Sequence, residues 1–227
     1  MAAISKKTLK FLKDLAANNY KEWFEENRDR YEVAYEEMYT FGEALQDEMS
    51  KHDDVIPLSR KKIIKRIYRD VRFSKNKTPY KDHIMGGLNR DTVWKRGGYA
   101  FRVKPGNTIV AGGFWAPEKE DLKLIRSHLA QEPARLRKIV ASKKFKTNFG
   151  ELEGAQLKKA PQGYDVAHNA IDLLRYKQFL ATRTFSDKEV TDKNFLKETV
   201  KTYRALRPFF DYMSEILTHD LNGLPIK

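Results

Sequence analysis

The residues best suited to chemistry lie in segment 66–81, which reads Arg-Ile-Tyr-Arg-Asp-Val-Arg-Phe-Ser-Lys-Asn-Lys-Thr-Pro-Tyr-Lys. Six of the sixteen are Lys or Arg, and the single acid, Asp70, stands between Arg69 and Arg72. A solvated face would mix in more Glu and Asp. This run concentrates cations and hydrogen-bond donors, which suits it to an anionic ligand. Arg66, Arg69 and Arg72 carry planar guanidinium forks that match phosphate or carboxylate. Lys75, Lys77 and Lys81 add point charges. The Ser74 and Thr78 hydroxyls and the rings of Phe73 and Tyr80 suit a base or a sugar. Asp70 admits two readings. It either fixes one arginine fork for a ligand, or closes an ion network that holds the fold together.

A second constellation is Ala160-Pro161-Gln162-Gly163-Tyr164-Asp165-Val166-Ala167-His168. His168 follows Asp165 by three residues, and an imidazole oriented by a carboxylate is a general acid or base. The alternative is a Pro-x-Gly-Tyr-Asp turn after which His168 caps or starts the next helix. Asp70 and His168 are therefore the candidate catalytic residues. The histidines at 52, 83, 128, 168 and 219 show no paired ligand spacing, so neither a metal nor a cofactor is expected. Neither a Gly-x-x-x-x-Gly-Lys phosphate loop nor a Gly-x-Ser-x-Gly elbow occurs.

The charge is segmental. Residues 58–104 hold 15 Lys/Arg against 3 Asp/Glu, whereas residues 1–57 hold 8 against 13. The middle of the chain thus carries most of the net +13, a footprint of nucleic-acid or anionic-ligand binding. No apolar run approaches the roughly 20 residues that cross a bilayer, so no membrane partner is expected. The absence of cysteine excludes disulfides and thiolate chemistry, and a cytoplasmic location is the expectation.

Elements that could position these residues follow from periodicity. A helix capped by Ser5 carries Leu9, Leu12 and Leu15 and ends near Asn18-Asn19. One long helix is predicted over 21–50, with Phe24, Tyr31, Tyr35, Met38, Phe41, Leu45 and Met49 at helical spacing and an acidic opposite face. A strand is predicted from about Lys65 to Phe73, which would put Arg66, Tyr68, Asp70 and Arg72 on one face. Residues 99–104 and 108–114 form a hairpin around Pro105-Gly106-Asn107. Pro117 and Pro133 each open a helix. Residues 145–165 read as irregular, 167–180 as holding a short helix, and 192–217 as a last helix containing Pro208. Helices flanking a small, mostly antiparallel sheet make an α+β single domain, 1–227, the expected architecture.

Four motifs together are similar to one family. They are Asn18-Asn19 with Trp23-Phe24 and Asn27-Arg28-x-x-Tyr31; the 66–81 run; Gly112-Gly113-x-Trp115-x-Pro117; and Ala160-Pro161-x-Gly163-Tyr164-Asp165-x-x-His168. On these the chain resembles the domain-of-unknown-function family numbered 2461. The resemblance covers about residues 9–210 and implies one complete domain, without bringing an activity. Where the family pattern has His-Pro, this chain has His168-Asn169.

The function expected is therefore binding of a nucleic acid or a phosphorylated small molecule through Arg66, Arg69, Asp70, Arg72, Ser74, Lys75, Lys77, Tyr80 and Lys81. The alternatives are a metal-independent enzyme using His168 or Asp70 as acid or base, and a scaffold for an acidic protein partner.

Overall fold

The computed structural model describes residues 3–91 and 94–226. Among them are ten helices and one four-stranded antiparallel sheet of order β1-β2-β3-β4, an α+β architecture. Helix α1 (Lys6–Ala17) begins as the sequence predicts, with the Ser5 hydroxyl accepting from the Thr8 amide, and ends at Asn18. The single helix predicted over 21–50 is instead two, α2 (Lys21–Glu26) and α3 (Arg28–Ser50). The break is Asn27. Its amide donates to the Trp23 carbonyl and its Oδ1 accepts from Arg30, so its side chain competes with the helix's own ladder. A short α4 (Arg60–Ile63) follows, then β1 (Ile84–Asn89), β2 (Gly98–Val103) and β3 (Thr108–Phe114). The β2–β3 hairpin matches the sequence reading.

Beyond it come α5 (Lys119–Gln131), α6 (Pro133–Ala141), α7 (Lys143–Phe149), α8 (Ile171–Leu174), β4 (Phe179–Phe185), α9 (Asp187–Val190) and α10 (Phe195–Thr218). Helix α7 falls in a stretch that reads as irregular; Ser142 starts it by accepting from the Phe145 amide. The short helix expected within 167–180 is α8, and β4 begins at the end of that range, with Phe179, Ala181 and Phe185 buried.

The chain groups into two compact units. One comprises residues up to Leu88, Ala100–Val110 and Thr184–Lys201; the other comprises Asn89–Tyr99, Ala111–Arg183 and residues from Thr202 onward. In the first, α1 packs on α3 with Phe11 against Tyr31 and Leu12 and Leu15 buried, and Phe41 stacks on Phe195 and meets the Phe101 ring edge-on. A Cβ at Gly86 would lie 2.2 Å from Phe101 Cζ, so only glycine lets that ring lie against β1. In the second, Tyr99 packs on Tyr203 and Phe210 and Phe114 on Phe210, and Gly112 admits Leu206 and Phe210 where a Cβ would be 2.4 Å from Leu206 Cδ1.

Candidate functional site

The 66–81 segment belongs to the first unit, and it is not a strand. After α4 the chain runs extended and folds back on itself with isolated antiparallel bridges, Ile64 to Gly86 and Tyr68 to Tyr80. The Arg69 amide donates to the Pro79 carbonyl at 2.9 Å and the Lys81 amide to the Ile67 carbonyl at 2.8 Å. Pairing stops there, because Arg72 and Phe73 turn the chain, the Ser74 amide donates to the Val71 carbonyl, and Pro79 has no amide to continue a ladder. The segment is thus a loop on a short two-legged stem.

That stem is clasped by the N-terminal motif residues. Asn19 donates from Nδ2 to the Tyr80 carbonyl and accepts the Tyr80 amide on Oδ1, both at 3.0 Å. Tyr80 stacks on Phe24 with centroids 4.0 Å apart, Tyr68 closes the cluster from the other leg, and the Tyr35 hydroxyl donates to the Lys65 carbonyl. The aromatic spacing of α2 and α3 therefore serves to hold the loop's base. Burial raises the Tyr35 hydroxyl well above its ordinary range, which keeps it a donor.

The cations divide into two groups. Arg69 braces the loop from inside, donating to the Thr78 hydroxyl and carbonyl and to Ser74 Oγ at 3.3 Å. Arg72 lies against Asp70 in a two-pronged pair, Nε to Oδ1 at 3.0 Å and Nη2 to Oδ2 at 2.7 Å, and its amide donates to Oδ1 as well. Those bonds from the Arg72 side chain and amide hold the Asp70 carboxyl below the usual range. Lys77 and Lys81 donate to the Val71 and Arg66 carbonyls at 3.0 and 2.6 Å, and burial, with Arg66 and Lys65 nearby, lowers the Lys81 ammonium. Arg66 and Lys75 have exposed side chains without a partner among the described residues. At the tip Phe73 is 98% exposed, with the Arg72 guanidinium 6.0 Å from its ring centre, and Tyr68 is 42% exposed. A groove of about 280 Å³ in the same unit is lined by Lys7, Thr8, Lys10, Asp29, Arg30 and Val33 and by no residue of the loop.

His168 lies in the second unit. Its Nδ1 accepts the Ala170 amide at 3.1 Å, the residue that leads into α8, and Asp165 Oδ1 accepts the Ala167 amide at 2.7 Å. Both side chains thus satisfy backbone donors of a turn and a helix start. The ring meets Tyr164 edge-on, with centroids 6.2 Å apart.

Two arrangements escape a reading of the sequence by motif. Asp82 bridges His83 and Lys104, accepting from His83 Nδ1 at 2.7 Å on one oxygen and from Lys104 Nζ at 2.6 Å on the other. The adjacent Asp82-His83 pair was the available signal, but it is not a metal-ligand spacing. In the second unit Arg90 is buried, donating to Asp211 Oδ1 at 2.6 Å and to the Arg96 carbonyl and Ser214 Oγ at 3.2 Å. Nothing in composition separates that arginine from its exposed neighbours.

No group of three or more potential metal ligands forms among the described residues, and no helix among them is long and apolar enough to cross a membrane. No curated protein and no solved structure matches the chain. The family model described as conserved hypothetical protein (DUF2461) matches residues 7–212, a span holding the clasp, the loop and the His168 turn alike, and the chain belongs to that family.

Proposed function

We propose that the chain binds single-stranded nucleic acid through the 66–81 loop. The observation that carries this reading is Phe73, an almost fully exposed ring at the tip of an internally braced loop, beside Arg72, in a loop that also exposes Lys75 and Lys77 and whose stem exposes Arg66. An exposed aromatic face between cations is the combination that stacks a base while neutralising its phosphates. Tyr68, on the stem, offers a second ring face. A compact phosphorylated metabolite has less support, because Arg69 and Arg72 direct their forks at Thr78, Ser74 and Asp70. Catalysis by Asp70 or His168 has less support for the same reason, since each accepts hydrogen bonds that serve local structure. Residues 1–227 are taken as one domain, a reading favoured by a family match that runs through segments of both compact units. A cytoplasmic setting goes with it.

Fluorescence anisotropy of a labelled single-stranded oligonucleotide tests the proposal. Affinity should fall with salt, with a slope of about −0.7 per phosphate contacted. Phe73→Ala should weaken binding about 5- to 150-fold, the equivalent of about 1–3 kcal/mol for one stacked base. The double change Lys75→Ala, Lys77→Ala should flatten the salt slope. No binding at low salt, or binding indifferent to Phe73→Ala, overturns it.

A further inference from the structure

The Asp82–His83 pair sits where the loop's C-terminal leg leads into β1, and Arg102 and Lys104 belong to β2 and its end. All four lie in the first unit. Lys104 and Asp82 offset each other's charge at 2.6 Å. Arg102 has no such partner. It is half-buried, its Nε is fully shielded from solvent, and it makes no hydrogen bond or ion pair among the described residues. The Nη groups likewise have no hydrogen-bond partner among the described residues but are not shut off from solvent, so they are the donors that an anion would meet. The charge of Arg102 acts on His83, as do those of Asp82 and Lys104.

His83 is held by its Nδ1 against Asp82, a side chain about one-fifth exposed. Burial lowers its basicity, the bond to Asp82 opposes this, and Arg102 and Lys104 add to the lowering. Burial thus favours the neutral imidazole, and a neutral ring that gives Nδ1–H to the Asp82 carboxylate is the tautomer that fits this contact. Nε2 is left as an acceptor with no partner among the described residues. The cluster thus combines an unopposed guanidinium with a neighbouring base. A dianion with no proton would satisfy only the first. A phosphate monoanion satisfies both, since its oxygens accept from Arg102 and its P–OH donates to Nε2.

We propose that Asp82, His83, Arg102 and Lys104 form a binding site for a phosphate group that still carries a titratable proton, either free phosphate or a phosphomonoester. Arg102 takes the oxygens, His83 Nε2 shares the proton, and Asp82 fixes the ring while Lys104 fixes Asp82. A phosphodiester has no such proton, so this site is distinct in chemistry from the strand-binding loop and does not depend on it. Its second ionisation near pH 6 places a phosphomonoester in the same range as histidine, which makes the shared proton effective around neutrality.

The test is an NMR titration of the His83 ring against pH, in phosphate-free buffer and then with inorganic phosphate, O-phosphoserine or dimethyl phosphate at matched ionic strength. Phosphate at about ten times its dissociation constant should raise the apparent pKa of His83 by about one unit, the linkage expected when the protonated pair is preferred. O-phosphoserine should do the same if esters fit; response to inorganic phosphate alone would assign the site to the free ion. Dimethyl phosphate should have no effect, and His52, on another segment, should not move. Arg102→Gln should abolish the shift while Phe73→Ala leaves it intact. An unchanged His83 titration at 50-fold more phosphate than protein overturns the proposal. So does an equal response to dimethyl phosphate or at His52, either of which would mean charge screening. These unaltered-protein measurements decide the matter even if Arg102→Gln fails to fold.

Discussion

Arg72 and Arg90 are the same side chain in the same basic stretch of sequence, each paired to an aspartate, and they have opposite roles. The Arg72–Asp70 pair is local, two residues apart, with side chains 77% and 47% exposed. Arg90 has a fully buried side chain and reaches 121 residues along the chain to Asp211, with Phe210 under its guanidinium at 5.4 Å. Water and salt screen the first pair, and its geometry shapes a loop. The second replaces the hydration that a buried guanidinium has lost. A run of positive charge is thus not one feature. Its exposed members meet solvent, and its buried member is part of the core.

The sharpest way to break this contrast is Arg90→Met. Loss of the buried network should cost about 3 kcal/mol or more, seen as a large fall in the urea midpoint. A midpoint within error of the parent would mean that Arg90 behaves like Arg72. Asn19→Ala comes next. It strips both partners from the buried Tyr80 peptide group and should cost about 2 kcal/mol while loosening the loop. Retention of full stability together with full oligonucleotide binding would show the clasp to be dispensable.

A smaller effect concerns His83. Its folded-state pKa lies below the ordinary 6.5, so the unfolded chain takes up the proton first as pH falls. Stability should therefore decline as pH drops below about 6.5 and on through the folded pKa. His83→Gln should flatten that part of the profile between pH 7.5 and 5.5 in phosphate-free buffer. A parent profile that rises on acidification would reverse the assignment. Smallest of all is Arg72→Ala, which should leave the unfolding midpoint unmoved, because both partners face solvent. A clear drop would place Arg72 with Arg90.

How much of this can be read from residues alone depends on whether the signal is local. Ser5 capping Thr8, the turn at Pro105-Gly106-Asn107, and Pro133 at the start of α6 are short-range arrangements, and each appears where its residues predict it. β1 is hidden because Gly86 and Gly87 look like a break, and only the Phe101 ring explains Gly86. The break at Asn27 depends on a side chain outcompeting an otherwise continuous helical period. The 66–73 segment has the alternation of a strand but no partner beyond isolated bridges. As for the sites, the cations of the loop are visible as composition, whereas their partners are not. Arg69 closing on Thr78, and Asp82 joining His83 to Lys104, are decided by how distant segments meet.

The Asn19 clasp has a consequence for how this loop can change. One carboxamide engages both the N–H and the C=O of a single peptide unit, as a neighbouring strand would, at a place where no strand exists. Below it the backbone is anchored; above it, from Asp70 to Thr78, the hydrogen bonds among the described residues run within the loop, through Arg69, Arg72, Ser74, Asn76 and Lys77. The tip is therefore an exchangeable cartridge. Residues there can be lengthened, shortened or swapped with little strain on the body. The Tyr80 amide should exchange with deuterium as slowly as one inside a sheet.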